Sequence, residues 1–206
     1  MKLKSIYLFT ILLFAFWKAS HAQTTLETFA GLDEMVIESW FFKPLTSDYA
    51  FNIFSLNDVI IDYDTEETAF VSYTVLGYDA WKGLGPVVGS RVFEGRASAL
   101  AGVQWAKTGE GFFITTNFTT EIRDNPLYEW YLLAQYRFPI NDKMGFFSQF
   151  QNSLNFNGDG HLFTFQRLRI GLSWDTLQAG LGLNTYQNGE DWDFESDPGF
   201  FIRLEF

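Results

Sequence analysis

Chemistry in this chain has to come from histidine, carboxylates and arginines, because it contains no cysteine. After residue 22 the one histidine is His161, in "NGDGHLF", with Ser148, Ser153, Thr164 and Asp159 near it in sequence. A hydrolase would need a hydroxyl within hydrogen-bond reach of that imidazole and a third group to orient the ring. No partner stands at a recognisable spacing. A solvated turn histidine is the simpler reading, and we expect no catalytic residue and no enzyme. A second set is acidic: Asp191, Asp193, Glu195 and Asp197 alternate with Trp192, Phe194 and Ser196. Carboxylates so spaced can converge on a hard cation such as calcium, which makes Asp191, Asp193 and Glu195 weak metal candidates. The EF-hand template fails, because Ser196 stands where glycine is required. The expectation is a solvated acidic loop without metal or other cofactor, and Asp62, Asp64, Glu66 and Glu67 form a second such connection.

The third set is spread along alternating segments: Glu121, Glu129, Arg137, Arg167, Arg169, Arg203 and Glu205, with Gln135, Gln149, Gln151, Gln178 and Asn184. Arg167 and Arg169 are two apart, so on a strand they share a face. If that face lines a pore, opposed charges act as a selectivity lining. In a filled interior the same residues form a lattice of salt bridges and hydrogen bonds. Both readings stay open at this point. "NFT" at Asn117–Thr119 matches a glycosylation pattern, but on a strand it reads as chance.

The elements that must position these residues have period 2. In "YEWYLLAQYRF", Tyr128–Phe138, the positions Tyr128, Trp130, Leu132, Ala134, Tyr136 and Phe138 oppose Glu129, Gln135 and Arg137. Phe112–Ile122, Leu168–Trp174 and Leu177–Leu183 alternate in the same way. Aromatic residues make up 19% of the chain, with 24 Phe, yet after residue 22 no apolar run is long enough for a membrane helix. Apolar faces with aromatics near strand ends, opposed by Gly, Ser, Thr, Asn, Gln, Arg and Glu, suit a barrel with lipid outside and a polar interior. A closed barrel also pairs every backbone group that lipid leaves unsatisfied.

Lys2 and Lys4, the apolar stretch Ile6–Trp17, and Ser20 and Ala22 before Gln23 have the layout of a secretory signal peptide. We read 1–22 as a cleaved leader and 23–206 as one domain. Removing the leader takes away three lysines and no acid, so the formal charge moves from −11 to −14. Such a chain is a poor candidate for nucleic-acid binding.

Turn signals divide the domain into strands near 35–43, 49–62, 67–77, 97–107, 111–122, 127–138, 144–154, 162–174, 176–186 and 199–206. Segment 84–94 is ambiguous. Even strand numbers are the rule, so the expectation is an all-β, transmembrane, antiparallel up-and-down barrel of about ten strands. Twelve comes next, reached by adding 84–94 and splitting 49–62, and eight is less favoured. The last strand then runs down into the periplasm. That makes 138–143 and 174–177 periplasmic turns, and 78–96, 123–126, 155–161 and 187–198 outer loops.

The chain resembles small outer-membrane β-barrel proteins of Gram-negative type, an uncharacterised group without a defined activity. Two stretches carry the resemblance: "GHLFTFQRLRIGLSWDTLQAGLGLN" and the ending "DPGFFIRLEF". It implies that Phe200, Ile202, Leu204 and Phe206 form an assembly signal read by the barrel-assembly machinery. The partners expected are that machinery and outer-membrane lipid. A structural or surface-interaction role through acidic outer loops leads. A narrow porin-like channel for small polar solutes comes second, and a barrel-embedded lipid-modifying hydrolase third.

Overall fold

The alternating segments fold into twelve antiparallel strands in a computed structural model that describes residues 23–48, 50–93 and 95–206. The segment read as a leader, 1–22, lies outside the described residues. The strands are β1 (Gln23–Gly31), β2 (Glu34–Pro44), β3 (Phe51–Asp62), β4 (Thr68–Tyr78), β5 (Leu84–Phe93) and β6 (Arg96–Gly109). They continue with β7 (Phe112–Glu121), β8 (Tyr128–Pro139), β9 (Met144–Asn157), β10 (Gly160–Trp174), β11 (Leu177–Asn188) and β12 (Asp193–Glu205). Each pairs with its sequence neighbours, and β12 pairs with β1 to close the barrel. Both ends of the barrel domain therefore lie at one end of the barrel, the terminal end; the other is the distal end.

Ten strands is corrected to twelve. The two additional strands are β1 and β5, and 49–62 is not split, since β3 runs unbroken through it. β1 escaped notice because its contrast is weak: Thr25, Glu27 and Phe29 are buried, whereas Leu26, Thr28 and Ala30 are exposed. β5 carries Gly85, Pro86 and Gly89, which read as loop. Pro86 fits because β4–β5 pairing stops one residue earlier, at Gly77 opposite Val87. Its missing N–H leaves no ladder bond empty.

The loop assignments change accordingly. Segment 78–96 is not an outer loop: 79–83 turns at the terminal end, and β5 then climbs the wall. The long acidic loop at 187–198 is also overturned. β11 continues to Asn188 and β12 begins at Asp193, with a four-residue turn between. Likewise β9 and β10 fill most of 155–161.

The outer wall exposes Val88, Leu181, Phe200 and Ile202, each more than half accessible. Water-soluble surfaces rarely carry so continuous an apolar band, whereas a lipid-facing wall requires one. Among the described residues no helix is long and apolar enough to cross a membrane; the wall that fits lipid is made of strands.

Candidate functional site

Every charged residue singled out from the sequence for the interior projects into the lumen. Arg167, Arg169 and Arg203 are buried on β10 and β12. They meet acids from β1, β2 and β3: Arg203 faces Glu27 directly across the β1–β12 seam, while Arg167 and Arg169 of β10 reach acids on strands they do not pair with. Arg167 Nη1 donates to Glu38 Oε2 at 2.8 Å and to Asp58 Oδ2 at 2.9 Å. Glu27 bridges the other two, accepting from Arg169 Nε at 2.8 Å and from Arg203 Nη2 at 2.5 Å. Arg203 also donates to Gln149 Oε1, and Arg169 to Asn184 Oδ1. Each guanidinium lies over an aromatic ring: Arg169 over Phe29 at 4.3 Å, Arg167 over Phe165 at 4.8 Å, Arg203 over Phe147 at 4.9 Å. Ion pairs taken out of water depend on such partners to be tolerated.

Glu121 and Glu129 join a second group nearer the distal end. Arg91 Nη2 donates to Glu121 Oε1 at 2.7 Å, and Arg91 Nη1 reaches Glu129 Oε2 at 3.5 Å. Ser153 donates to Glu129 at 2.6 Å. Arg137 and Glu205 pair with each other at the terminal end, where Gln23, Gln135 and Gln178 also donate to Glu205.

The expectation of a uniformly polar interior is corrected. Trp40, Phe54, Tyr73, Val75, Phe113, Tyr131 and Leu133 form a buried apolar cluster inside the barrel. Trp40 of β2 stacks on Phe113 of β7, with ring centroids 5.4 Å apart and planes 12° from parallel. Phe54 of β3 and Tyr73 of β4 both meet Tyr131 of β8, at 5.6 Å and 5.9 Å. These strands belong to facing walls, so the rings bridge the lumen. Twelve strands enclose more space than eight; large side chains on facing walls occupy it.

Sequence reasoning missed Glu27, Glu38, Asp58 and Arg91. In β2 the usable signal was Glu38 between Val36 and Trp40, an acid flanked by large apolar residues on its own face. A buried carboxylate there demands a cation from elsewhere in the fold.

An open vestibule of about 690 Å³ remains at the terminal end, lined by Gln23, Phe113, Gln135, Arg137, Lys143 and Glu205 among others. The distal rim has another character. Asp33, Asp64, Glu66, Glu67, Asp124, Asp159, Glu190, Asp191, Asp193 and Glu195 are all exposed there. Against them stand Arg96 and Arg123, both exposed. Lys43, Lys82, Lys107 and Lys143, the lysines among the described residues, all lie at the terminal end.

Asp191, Asp193 and Glu195 do not converge: Asp191 is in the β11–β12 turn and the others follow on β12. Among the described residues no three His, Cys, Asp or Glu side chains are grouped to hold a metal ion. His161 stacks on Trp192 at 3.7 Å and bonds Gly189 O at 2.7 Å and Thr164 Oγ1 at 2.9 Å. The bond to the Gly189 carbonyl is donated by Nδ1–H, and together these contacts tie two distal hairpins to each other. Ser153 is committed to Glu129 inside the barrel, and Ser148 bonds Tyr136 O across the strand pair. Asn117, of the "NFT" match, is buried in the lumen.

On the last strand, Phe200, Ile202, Leu204 and Phe206 are all exposed on the outer wall, opposite Phe201 and Arg203 inside. The Phe206 N–H donates to Thr24 O at 2.9 Å, and the Thr24 N–H donates back to Phe206 O at 3.2 Å. The C-terminus thus completes the seam.

No protein-family model and no curated protein matches the sequence. Among solved structures, the chain is similar to the NanC porin, with TM-score 0.53 and 8% identity over 90% of this chain and 98% of that one. OmpT of Vibrio cholerae in its trimer form gives TM-score 0.35 and 6% identity over 90% and 98%. The first of these likenesses is one of fold: a closed antiparallel barrel that presents an apolar wall outward. The chain has the architecture of an integral outer-membrane β-barrel.

Proposed function

We infer that this protein is a non-conducting outer-membrane barrel that acts at its outer rim. In this reading 1–22 is removed on export, the terminal end faces the periplasm and the acidic distal end faces outward. The observation that carries it is the contact between facing walls: Trp40 on Phe113, and Phe54 and Tyr73 on Tyr131. Elsewhere in the interior Gln151, Asn155, Gln178 and Arg203 have no accessible surface. Arg167, Arg169 and Arg203 then serve as internal cross-braces rather than as a selectivity lining. Phe206 and the apolar positions before it remain the proposed address for the assembly machinery.

Planar-bilayer recording of the refolded protein 23–206 tests the reading. The expected trace shows no unitary steps. Reproducible steps that change on replacing Arg167 and Arg169 would overturn it in favour of a narrow channel for small polar solutes. The vestibule at the terminal end is the feature that favours that second reading, since a pore needs such a mouth.

A further inference from the structure

The barrel is closed along β1–β12, but the two strands are not equally tall. β12 pairs with β1 only from Gly199 to Glu205, while it pairs with β11 up to Asp193. The stretch Asp193–Pro198 therefore rises above the β1–β2 hairpin with one edge uncovered. Backbone groups alternate between the two sides of a strand. Phe206 exchanges both of its bonds with Thr24 of β1, and the Glu205 N–H donates towards β11, to Thr176 O. Counting back in register, Pro198, Ser196 and Phe194 face the β1 side.

Pro198 stands at the point where β1 ends, and having no N–H it leaves no donor empty there. Immediately beside it, Asp197 turns inward and caps the β1–β2 turn. Its Oδ1 accepts from Leu32 N at 2.5 Å and from Asp33 N at 3.1 Å. The hairpin top is thereby sealed against β12 but holds no backbone partner for the two residues above. Among the described residues, the N–H and C=O groups of Ser196 and Phe194 on that side meet no strand.

Edge strands are normally covered or blunted, because an open ladder recruits further strands. Here Asp193 and Glu195 flank the open groups, Asp33 stands at the top of the hairpin below them, and Glu190 and Asp191 precede them in the β11–β12 turn. A second copy docked edge to edge would set these carboxylates against one another, which disfavours self-pairing. A cationic chain has neither problem. We propose that the β12 edge at Phe194–Ser196 is a docking site for an extended, lysine- or arginine-rich peptide segment, which adds to the sheet as a further strand. Its backbone would pair with Ser196 and Phe194, and its basic side chains would lie among Asp193, Glu195 and Asp33. Strand addition of this kind takes affinity from main-chain bonds and selectivity from alternate side chains. The idea rests on the reading of the protein as acting at its rim. The bilayer recording tests that reading, and the binding measurement below tests this one.

The probe is a peptide of about eight alternating lysines and valines, titrated against refolded 23–206 in detergent micelles. Saturable binding is expected, falling about tenfold or more when alternate peptide nitrogens are methylated. Ser196→Pro removes an N–H that points to the open side and leaves the β11 ladder intact, so it should weaken binding equally. The folded barrel of that variant is checked by its resistance to SDS before boiling. Asp193→Lys with Glu195→Lys should abolish binding of the basic peptide. Equal binding of the methylated peptide, or no effect of Ser196→Pro, would overturn the proposal by reducing it to general charge attraction. A barrel dimer that Ser196→Pro dissociates would also overturn it, making a second copy the occupant.

Discussion

Glu27 accepts from two arginines at once, whereas the next acid, Glu38, stands 4.0 Å from Arg203 Nη2 and already serves Arg167. Truncating it leaves two buried cations on β10 and β12 short of their counter-charge. Removing one partner of a buried pair costs roughly 3–5 kcal/mol, more than the pair itself contributes. Glu27→Ala should therefore lower equilibrium stability by about that amount in urea titration of the micellar barrel. Glu67→Ala, exposed in the β3–β4 turn, should stay within about 0.5 kcal/mol of the parent. Equal effects at both positions would mean that the lattice contributes nothing beyond surface charge.

The seam between β1 and β12 depends on close backbone approach as well as on pairing. A Cβ on Gly31 would fall 1.7 Å from Asp197 Oδ2. Gly31→Ala must therefore expel the carboxylate that caps Leu32 and Asp33. The expected result is faster amide exchange at those two residues, with exchange along β7 and β8 unchanged. Deleting Phe206 removes the last pair of bonds to Thr24 and the last outward aromatic, and should reduce the amount of barrel assembled in the membrane. Normal membrane levels would contradict that. Ten of the strands were legible in the sequence from alternation bounded by turn signals, clearest in β8, where Trp130 and Tyr136 oppose Glu129 and Gln135. β1 was not, since Leu26, Thr28 and Ala30 make a weak outer face, and β5 was hidden by Gly85, Pro86 and Gly89. The inward placement of Arg137, Arg167, Arg169 and Arg203 was legible from parity alone. Their partners were not, because pairing across a lumen depends on closure, which no local pattern records. The aromatic bridge was hidden for a related reason. Along Glu34–Pro44 both faces carry apolar residues, Ile37 and Phe41 on one and Val36 and Trp40 on the other. Hydropathy there cannot tell lipid from lumen.

At the scale of the whole molecule, the interior is a set of cross-braces and the two ends differ. If the aromatic bridge is what closes the lumen, then Trp40→Ala, Phe113→Ala and Tyr131→Ala combined should yield unitary conductance steps where the parent shows none. Heat-shifted migration in SDS confirms that the triple variant still forms a barrel. A silent triple variant would place closure in the arginine lattice instead. The separation of Lys43, Lys82, Lys107 and Lys143 from the acidic rim has a practical corollary. Among the described residues primary amines are confined to one mouth of the barrel, and in the proposed mature protein a freed α-amino group at Gln23 would join them there. An acylating reagent too polar to cross the envelope should leave the protein untouched on intact cells and modify it once the envelope is breached. The chain thus carries its own topology reporter, and labelling from outside would invert the orientation assigned to it.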